Sequence, residues 1–330
     1  MPGLKIGIIG ATGLVGEELI DIIEHSSVDI SECRLFTSER SCGTKISIHG
    51  CEYRTEQPNI DSANGLDYIF FCADIETSRT FIPIYSKKGA ICIDNSSAYR
   101  LVPNVPLIIP EVNSKNLNLN DRVIANPNCS TIIALMALYP LHKLFSLSGF
   151  CVSTYQAVSG VGKNGFRALK ADEAGDHKLA CEIFGEQIAY NVIPKIGDID
   201  ESGYSSEENK MQYESRKILG DDSLKISAMC VRVPVARVHS MSIFANFQKK
   251  FDKSAAIDAF RDDKYLDFYD DDNFPCTLRY SKRDKCGIGR LRIDSFLDNG
   301  ASFWVCGDQI RRGAAMNAFK IMLLRESLSR

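Results

Sequence analysis

The chain has 330 residues, enough for two packed domains or one large one, and 45% of them are hydrophobic against 25% charged. A net charge of −3 supplies no overall field that would gather nucleic acid or an anionic membrane surface. No stretch reaches the roughly 20 apolar residues that span a bilayer.

"MPGLKIGIIG" lacks the basic start, long apolar centre and small-residue cleavage site of a signal peptide. It reads instead into a strand, "LKIGIIG", that ends in glycine. "LVGEELIDIIEHS" then carries apolar residues at helical spacing. Short apolar runs follow: "CRLFTS", "LDYIFFCA", "AICIDNSS", "PLIIPEVN" and "RVIANPN". Each is bounded by glycine, asparagine or polar residues and is apolar on both sides, as parallel strands covered by helices should be. This predicts a doubly wound, Rossmann-like α/β domain over residues 1–127.

Beyond it the texture changes. A helix is predicted over about 129–145, followed by long β runs: "GFCVSTYQAVSG", "KISAMCVRVPVARVHSMSIFANF", "PCTLRYS", "GRLRID" and "ASFWVCGD". These predict a second, α+β domain over 128–307 with a mostly antiparallel sheet. A polar insert with mixed helix signals spans about 163–222, and "YDDDNF" reads as a solvated acidic loop. "DQIRRGAAMNAFKIMLLRESL" predicts a C-terminal helix, over 308–330, that returns to complete the first domain.

Twelve cysteines occur without a Cys-x-x-Cys pair or a metal-ligand spacing, so no metal is expected. Cys72, Cys92, Cys151, Cys230 and Cys306 fall in apolar runs, where a reduced thiol behaves as a small hydrophobe. A cytoplasmic setting follows from that usage. Cys129 differs. It stands in "NPNCST" at the predicted start of a helix, where unpaired N–H groups favour a thiolate, and its neighbours Asn128 and Ser130 are polar.

Gly10, Gly13 and Gly16 recur at three-residue spacing after the first strand and open a helix. That context suits a dinucleotide pyrophosphate, which needs close backbone approach and helix N–H donors. At the end of the second strand, "LFTSERSCGTK" offers Ser38, Arg40 and Ser41. A guanidinium with hydroxyls matches a ribose 2′-phosphate and points to NADP, while Glu39 could take the acidic role of an NAD site. A nucleophilic thiol also needs a proton carrier. Of the five histidines, His239 alone lies in a long β run, just past Arg232 and Arg237.

The chain resembles the aspartate-semialdehyde dehydrogenase family nearly from end to end. "GATGLVG", "DNSSAYR", "IPEVN", "NPNCST", "STYQAVSG", "AYNVIP", "EENKM", "VRVPVARVHS", "GRLR" and "DQIRRGAAMNA" occur in the family's order. The resemblance implies NADPH-dependent reductive dephosphorylation of L-4-aspartyl phosphate, feeding lysine, diaminopimelate, methionine and threonine synthesis. Cys129 would be the acyl-thioester nucleophile, His239 the acid/base and Gln156 the residue orienting the carbonyl. Arg232 would grip the substrate carboxylate and Glu207 its amine, with Lys210 and Arg100 on the phosphate and Asn128 beside the substrate. Gly10, Thr12, Gly13, Leu14, Val15, Arg40, Ser41, Ser159, Gly160 and Gln309 would contact NADP. A homodimer or homotetramer formed through the second domain is implied as well.

The resemblance has departures. "FFCADIETS" replaces a small Ala-Gly-Gly stretch, Lys195 stands where histidine is common, Val238 replaces the glycine that usually precedes the histidine, and Gln309 stands where asparagine is frequent. Two other readings use the same residues. N-acetyl-γ-glutamyl-phosphate reductase shares the chemistry, but its acylated amine would leave Glu207 without an ammonium to meet. A non-catalytic dinucleotide-binding paralogue would be expected to lack the cysteine or the histidine.

Overall fold

The computed structural model describes residues 3–270 and 272–329. Met1 and Pro2 of the opening stretch, Asp271 of the acidic run and Arg330 of the last segment lie outside the described residues. The chain forms two compact units, one running to Asn128 and resuming at Ala314, the other Cys129–Gly313. Among the described residues no helix is long and apolar enough to cross a membrane.

The first unit runs β1 (Leu4–Ile9), α1 (Leu14–Glu24), β2 (Ile30–Phe36), β3 (Lys45–Ile48), β4 (Cys51–Arg54), β5 (Tyr68–Phe71), α2 (Ile75–Lys87), β6 (Ile91–Asp94), α3 (Pro110–Asn113) and β7 (Val123–Ala125). Its main sheet has the order β2-β1-β5-β6-β7, and every neighbouring pair is parallel. Strand periodicity explains why helices cover both faces. Ile6, Ile8, Tyr68, Phe70, Ile91 and Ile93 face one way, into a core shared with α1 and the C-terminal helix Met316–Leu328. Ile9, Ile69, Phe71 and Cys92 face the other, against Ile82 and Tyr85 of α2.

"PLIIPEVN" departs from its predicted strand. Ile108 and Ile109 are buried, but only Leu107 bridges to β7, and Pro110 opens the short α3. A proline has no N–H for a ladder and suits a first helical turn, so the run ends as helix. "FFCADIETS" is a second local departure with a clear basis: Asp74 caps α2 through the Thr77 N–H at 2.8 Å.

The second unit runs α4 (Cys129–Phe145), β8 (Leu147–Gln156), α5 (Lys163–Glu173), α6 (Lys178–Phe184), α7 (Ser206–Leu219), β9 (Lys225–Arg232), β10 (His239–Phe247), α8 (Lys253–Asp262), β11 (Leu266–Phe268), α9 (Thr277–Tyr280), β12 (Cys286–Ile293) and β13 (Gly300–Gly307). The sheet order is β11-β12-β13-β10-β8-β9. Its three central pairs are antiparallel, whereas β8–β9 and β11–β12 are parallel, so the sheet is mixed. α4 is buried along almost its whole length, as a helix apolar on all sides must be. "PCTLRYS" forms α9 rather than a strand, with Tyr280 buried beneath it. Residues 308–313, expected with the C-terminal helix, belong to this unit because Asp308 and Gln309 bond back to Arg237 and Val238. Trp304 of β13 lies against Tyr155 of β8, ring centroids 5.3 Å apart.

The glycine turn after β1 is tightly specified. Gly10 has φ of 81°, and a Cβ there would come within 2.4 Å of the Cys72 carbonyl oxygen; a Cβ on Gly16 would meet the Gly10 carbonyl at 2.2 Å. Gly10→Ala is therefore expected to destabilise the first unit by about 2–3 kcal/mol. Urea unfolding followed by far-ultraviolet circular dichroism checks this, and an unchanged midpoint would refute it.

Candidate active site

Strand register assembles the chemistry of the second unit. Gln156, the last residue of β8, pairs with Arg232, the last of β9. On the other side of β8, Tyr155 pairs with Ser240, so His239 begins β10 one step further along, level with Gln156. Three residues far apart in the chain thus occupy one row across three adjacent strands. Alternation along β8 buries Thr154 and Gln156 while Cys151, Ser153 and Tyr155 face outward.

The turn after β8 ties this row together. The Ala157 N–H donates to His239 Nδ1 at 3.1 Å, and Arg232 donates to the Ala157 carbonyl at 2.6 Å. Gly160 makes room for the guanidinium, since a Cβ there would lie 2.8 Å from an Arg232 terminal nitrogen. Phe184 of α6 lies under the same cation, 5.9 Å from ring centroid to Arg232 Cζ. Gln156 donates to Glu207 at 3.3 Å, and Lys210 donates to the other Glu207 oxygen at 3.1 Å. Glu207 is placed in the first turn of α7 by a capping box between Ser205 and Glu208, and Glu208 also accepts from the Cys230 N–H at 2.8 Å.

Cys129 is the first residue of α4 and only partly buried. Gly313 passes close over it, where a Cβ would meet the cysteine Cβ at 2.9 Å. Burial lowers the Arg232 pKa, while the charges of Glu207 and then Cys129 work against that shift. The charges of Glu207 and Cys129 therefore both act on the guanidinium.

His239 is fully buried. Its Nδ1 accepts a hydrogen bond, so the ring proton belongs on Nε2, which is buried and has no hydrogen-bond partner among the described residues. Burial pushes the imidazole down from 6.5 to about 3, with the Arg232 charge adding to this and Glu207 opposing it.

Ser159 and Gln309 also lie in this unit and bond to each other. The Gln309 carbonyl oxygen accepts from the Val238 N–H at 2.8 Å, so the whole amide that was expected at the cofactor is engaged by its own unit.

The first unit holds the remaining expected residues. Gly10 and Ala11 donate to the Phe36 carbonyl, and Thr12 shares a 2.8 Å hydrogen bond with Thr37, so the glycine turn is fixed to the end of β2. Among the described residues no side chain caps α1 at Gly13, and a helix start of this kind, around Leu14 and Val15, suits an anion. A turn so close to neighbouring backbone at Gly10 and Gly16 fits a dinucleotide pyrophosphate. Arg40 and Ser41 lie on the turn just past β2, Arg40 exposed. Arg100 is buried and donates to the carbonyls of Asn126 at 2.9 Å and Asn95 at 2.7 Å; Asn128 is buried as well. Sequence reasoning missed Ala157, which acts through its backbone and gives no residue-type signal, and Asp308, which holds Arg237 at 2.6 Å.

Because the folded imidazole stays neutral while an unfolded one takes up a proton near 6.5, folding stability is full above that pH and falls as pH drops toward 3. His239→Gln is expected to show a shallower loss of urea midpoint between about pH 7 and about pH 4.5 than the parent. Equal slopes would show that the imidazole is not held neutral.

Residues 138–312 match the family described as "Semialdehyde dehydrogenase, dimerisation domain", and residues 5–119 match "Semialdehyde dehydrogenase, NAD binding domain". An aspartate-semialdehyde dehydrogenase of Aquifex aeolicus is 38% identical over 99% of each chain. One from Helicobacter pylori strain J99 is 39% identical over 98% of each. The crystal structure of aspartate-semialdehyde dehydrogenase II complexed with ASA from Vibrio cholerae superimposes with a TM-score of 0.94, at 32% identity over 99% of each chain.

Proposed function

Since the chain belongs to the aspartate-semialdehyde dehydrogenase family, we propose that it reduces L-4-aspartyl phosphate to L-aspartate 4-semialdehyde through a thioester on Cys129. The observation that carries this reading is the set Arg232, Glu207, Gln156 and neutral His239, buried on one row and its adjoining helix, with Cys129 acting on the same guanidinium. Aspartyl phosphate carries a carboxylate, an ammonium and a phosphate, and its pocket needs fixed charges of both signs.

Arg232 is the fork for the carboxylate, since guanidinium and carboxylate match in paired hydrogen bonds. Glu207 meets the ammonium, and Lys210, a third exposed, turns to the phosphate. Arg100 is the second cation proposed for that phosphate, and Asn128 a further substrate contact. Gln156, buried with its amide beside Glu207, orients the reacting carbonyl.

The Cys129 thiolate, favoured by the start of α4, attacks the acyl carbon. The S–C bond forms to give a tetrahedral oxyanion, and its collapse breaks the C–O bond to phosphate, which departs with the electron pair. NADPH, when bound, supplies the hydride that reduces the resulting thioester. Negative charge then sits on the former carbonyl oxygen, and the C–S bond breaks to release aldehyde and regenerate thiolate. His239 serves these steps as an uncharged donor through Nε2–H, stabilising the oxyanion each time it forms. The thiolate leaves as thiolate, so this cycle asks no proton of the sulfur.

NADP is favoured over NAD by Arg40 and Ser41 beyond β2, where a 2′-phosphate would lie. The outward face of β8, β9 and β10, with Cys151, Met229 and Phe244 exposed on it, is the surface we assign to pairing of two copies. Among the described residues the cysteines form no disulfide, which suits the cytoplasm.

The reverse assay tests the reading: semialdehyde, phosphate and NADP should yield reduced cofactor, followed by its absorbance. Cys129→Ser is expected to bind NADP normally yet lose at least about 10³-fold in kcat. Near-parental turnover by that variant would end the covalent mechanism. Arg232→Lys, which keeps the charge but not the fork, should lower kcat/KM for the semialdehyde by roughly 10–100-fold. An unchanged kcat/KM would remove Arg232 from substrate recognition.

A further inference from the structure

Two residues separated by 71 positions, Val238 and Gln309, meet in the structure. The Val238 N–H donates to the Gln309 side-chain oxygen at 2.8 Å. Val238 has φ of 80° and is fully buried. A β-branched residue in that region is strained and persists only where its surroundings hold it.

The surroundings do hold it. Arg237, one residue before, donates to the buried carboxylate of Asp308 at 2.6 Å. His239, one residue after, pairs in the ladder with Gly307. The segment 307–309 therefore grips 237–239 residue by residue, and Gln309 takes the strained middle position.

Gln309 reaches further. Its amide nitrogen donates to the Ser159 hydroxyl, on the turn that begins at Ala157. The Ala157 N–H is the donor to His239 Nδ1. One amide thus links the backbone immediately before His239 to the turn that orients the His239 ring. A side chain one methylene shorter could not reach both partners from the same backbone.

We infer that Gln309 is a positioning residue matched to Val238: it holds the left-handed backbone there and so fixes the imidazole of His239 against the Ala157 N–H. The inference rests on the role proposed for His239. Glycine takes positive φ without steric penalty, so a glycine at this position would make the clamp dispensable.

The test is a double-substitution cycle in the reverse assay, using the full chain with semialdehyde, phosphate and NADP. Gln309→Asn is expected to lower kcat about tenfold while KM for the semialdehyde and the NADP dissociation constant stay within about twofold. In a Val238→Gly background the same Gln309→Asn change should cost less than about threefold. Equal losses in both backgrounds would overturn the inference. Weakened NADP binding in step with kcat would do so too, by showing that Gln309 serves the cofactor directly. Should the asparagine variant not fold, Ser159→Ala cuts the same link at its other end and leaves the acceptor for the Val238 N–H in place. It should lower kcat by more than about threefold while KM for the semialdehyde and the NADP dissociation constant stay within about twofold, and an unchanged kcat would count against the clamp. His239→Ala separates the two levels. If that variant remains active, the assignment of His239 fails; if it is inactive while the cycle is additive, only the clamp fails.

Discussion

The second unit's chemistry depends on one peptide residue. Ala157 donates its N–H to His239 and accepts from Arg232 at its carbonyl, so its two backbone groups fix a neutral ring and a permanent cation at once. The arrangement decides protonation as well as position. A ring that accepts at Nδ1 cannot take a second proton there without breaking the bond, and the adjacent guanidinium makes imidazolium costlier still. The same contact that places the histidine therefore also sets what it can do.

Burying an arginine, a glutamate and a histidine together would be costly if any were left alone. Here each is held by partners that differ in kind. Arg232 has a carbonyl and an aromatic face, Glu207 an amide and an ammonium, and His239 a backbone N–H. The surrounding glycines are part of this economy of space. Gly160 and Gly313 each lie where a methyl group would collide with Arg232 or Cys129. Close backbone approach keeps the guanidinium and the thiol next to main chain at these two points.

Much of the first unit was legible because its signals are local. Apolar runs of strand length, a helical period after the glycine turn and the proline and glycine punctuation all act over a few residues. The misses were also physical. "PLIIPEVN" has strand composition, but its proline removes a donor, and "PCTLRYS" reads equally as a short helix once Tyr280 is buried. At the candidate site, Cys129 could be singled out from its place at a helix start. Arg232, Gln156 and His239 were named through the resemblance, but that they share one row was not legible, because register between strands distant in the chain creates it. Ala157 was invisible, since a backbone contact leaves no residue-type signature. Gln309 was visible, but the direction in which its amide points was not.

The contact between Trp304 and Tyr155 gives the molecule a built-in optical reporter. Trp304 is the single tryptophan in the sequence, and it lies on β13 within the second unit. Its indole N–H points to the Cys306 sulfur at 3.2 Å, and thiols quench indole emission on close approach. Melting of the six-stranded sheet should therefore brighten and red-shift the fluorescence, while loss of order confined to the glycine turn and its parallel sheet leaves the indole undisturbed. Emission and circular dichroism, recorded on one sample, would then separate the melting of the two halves of the polypeptide.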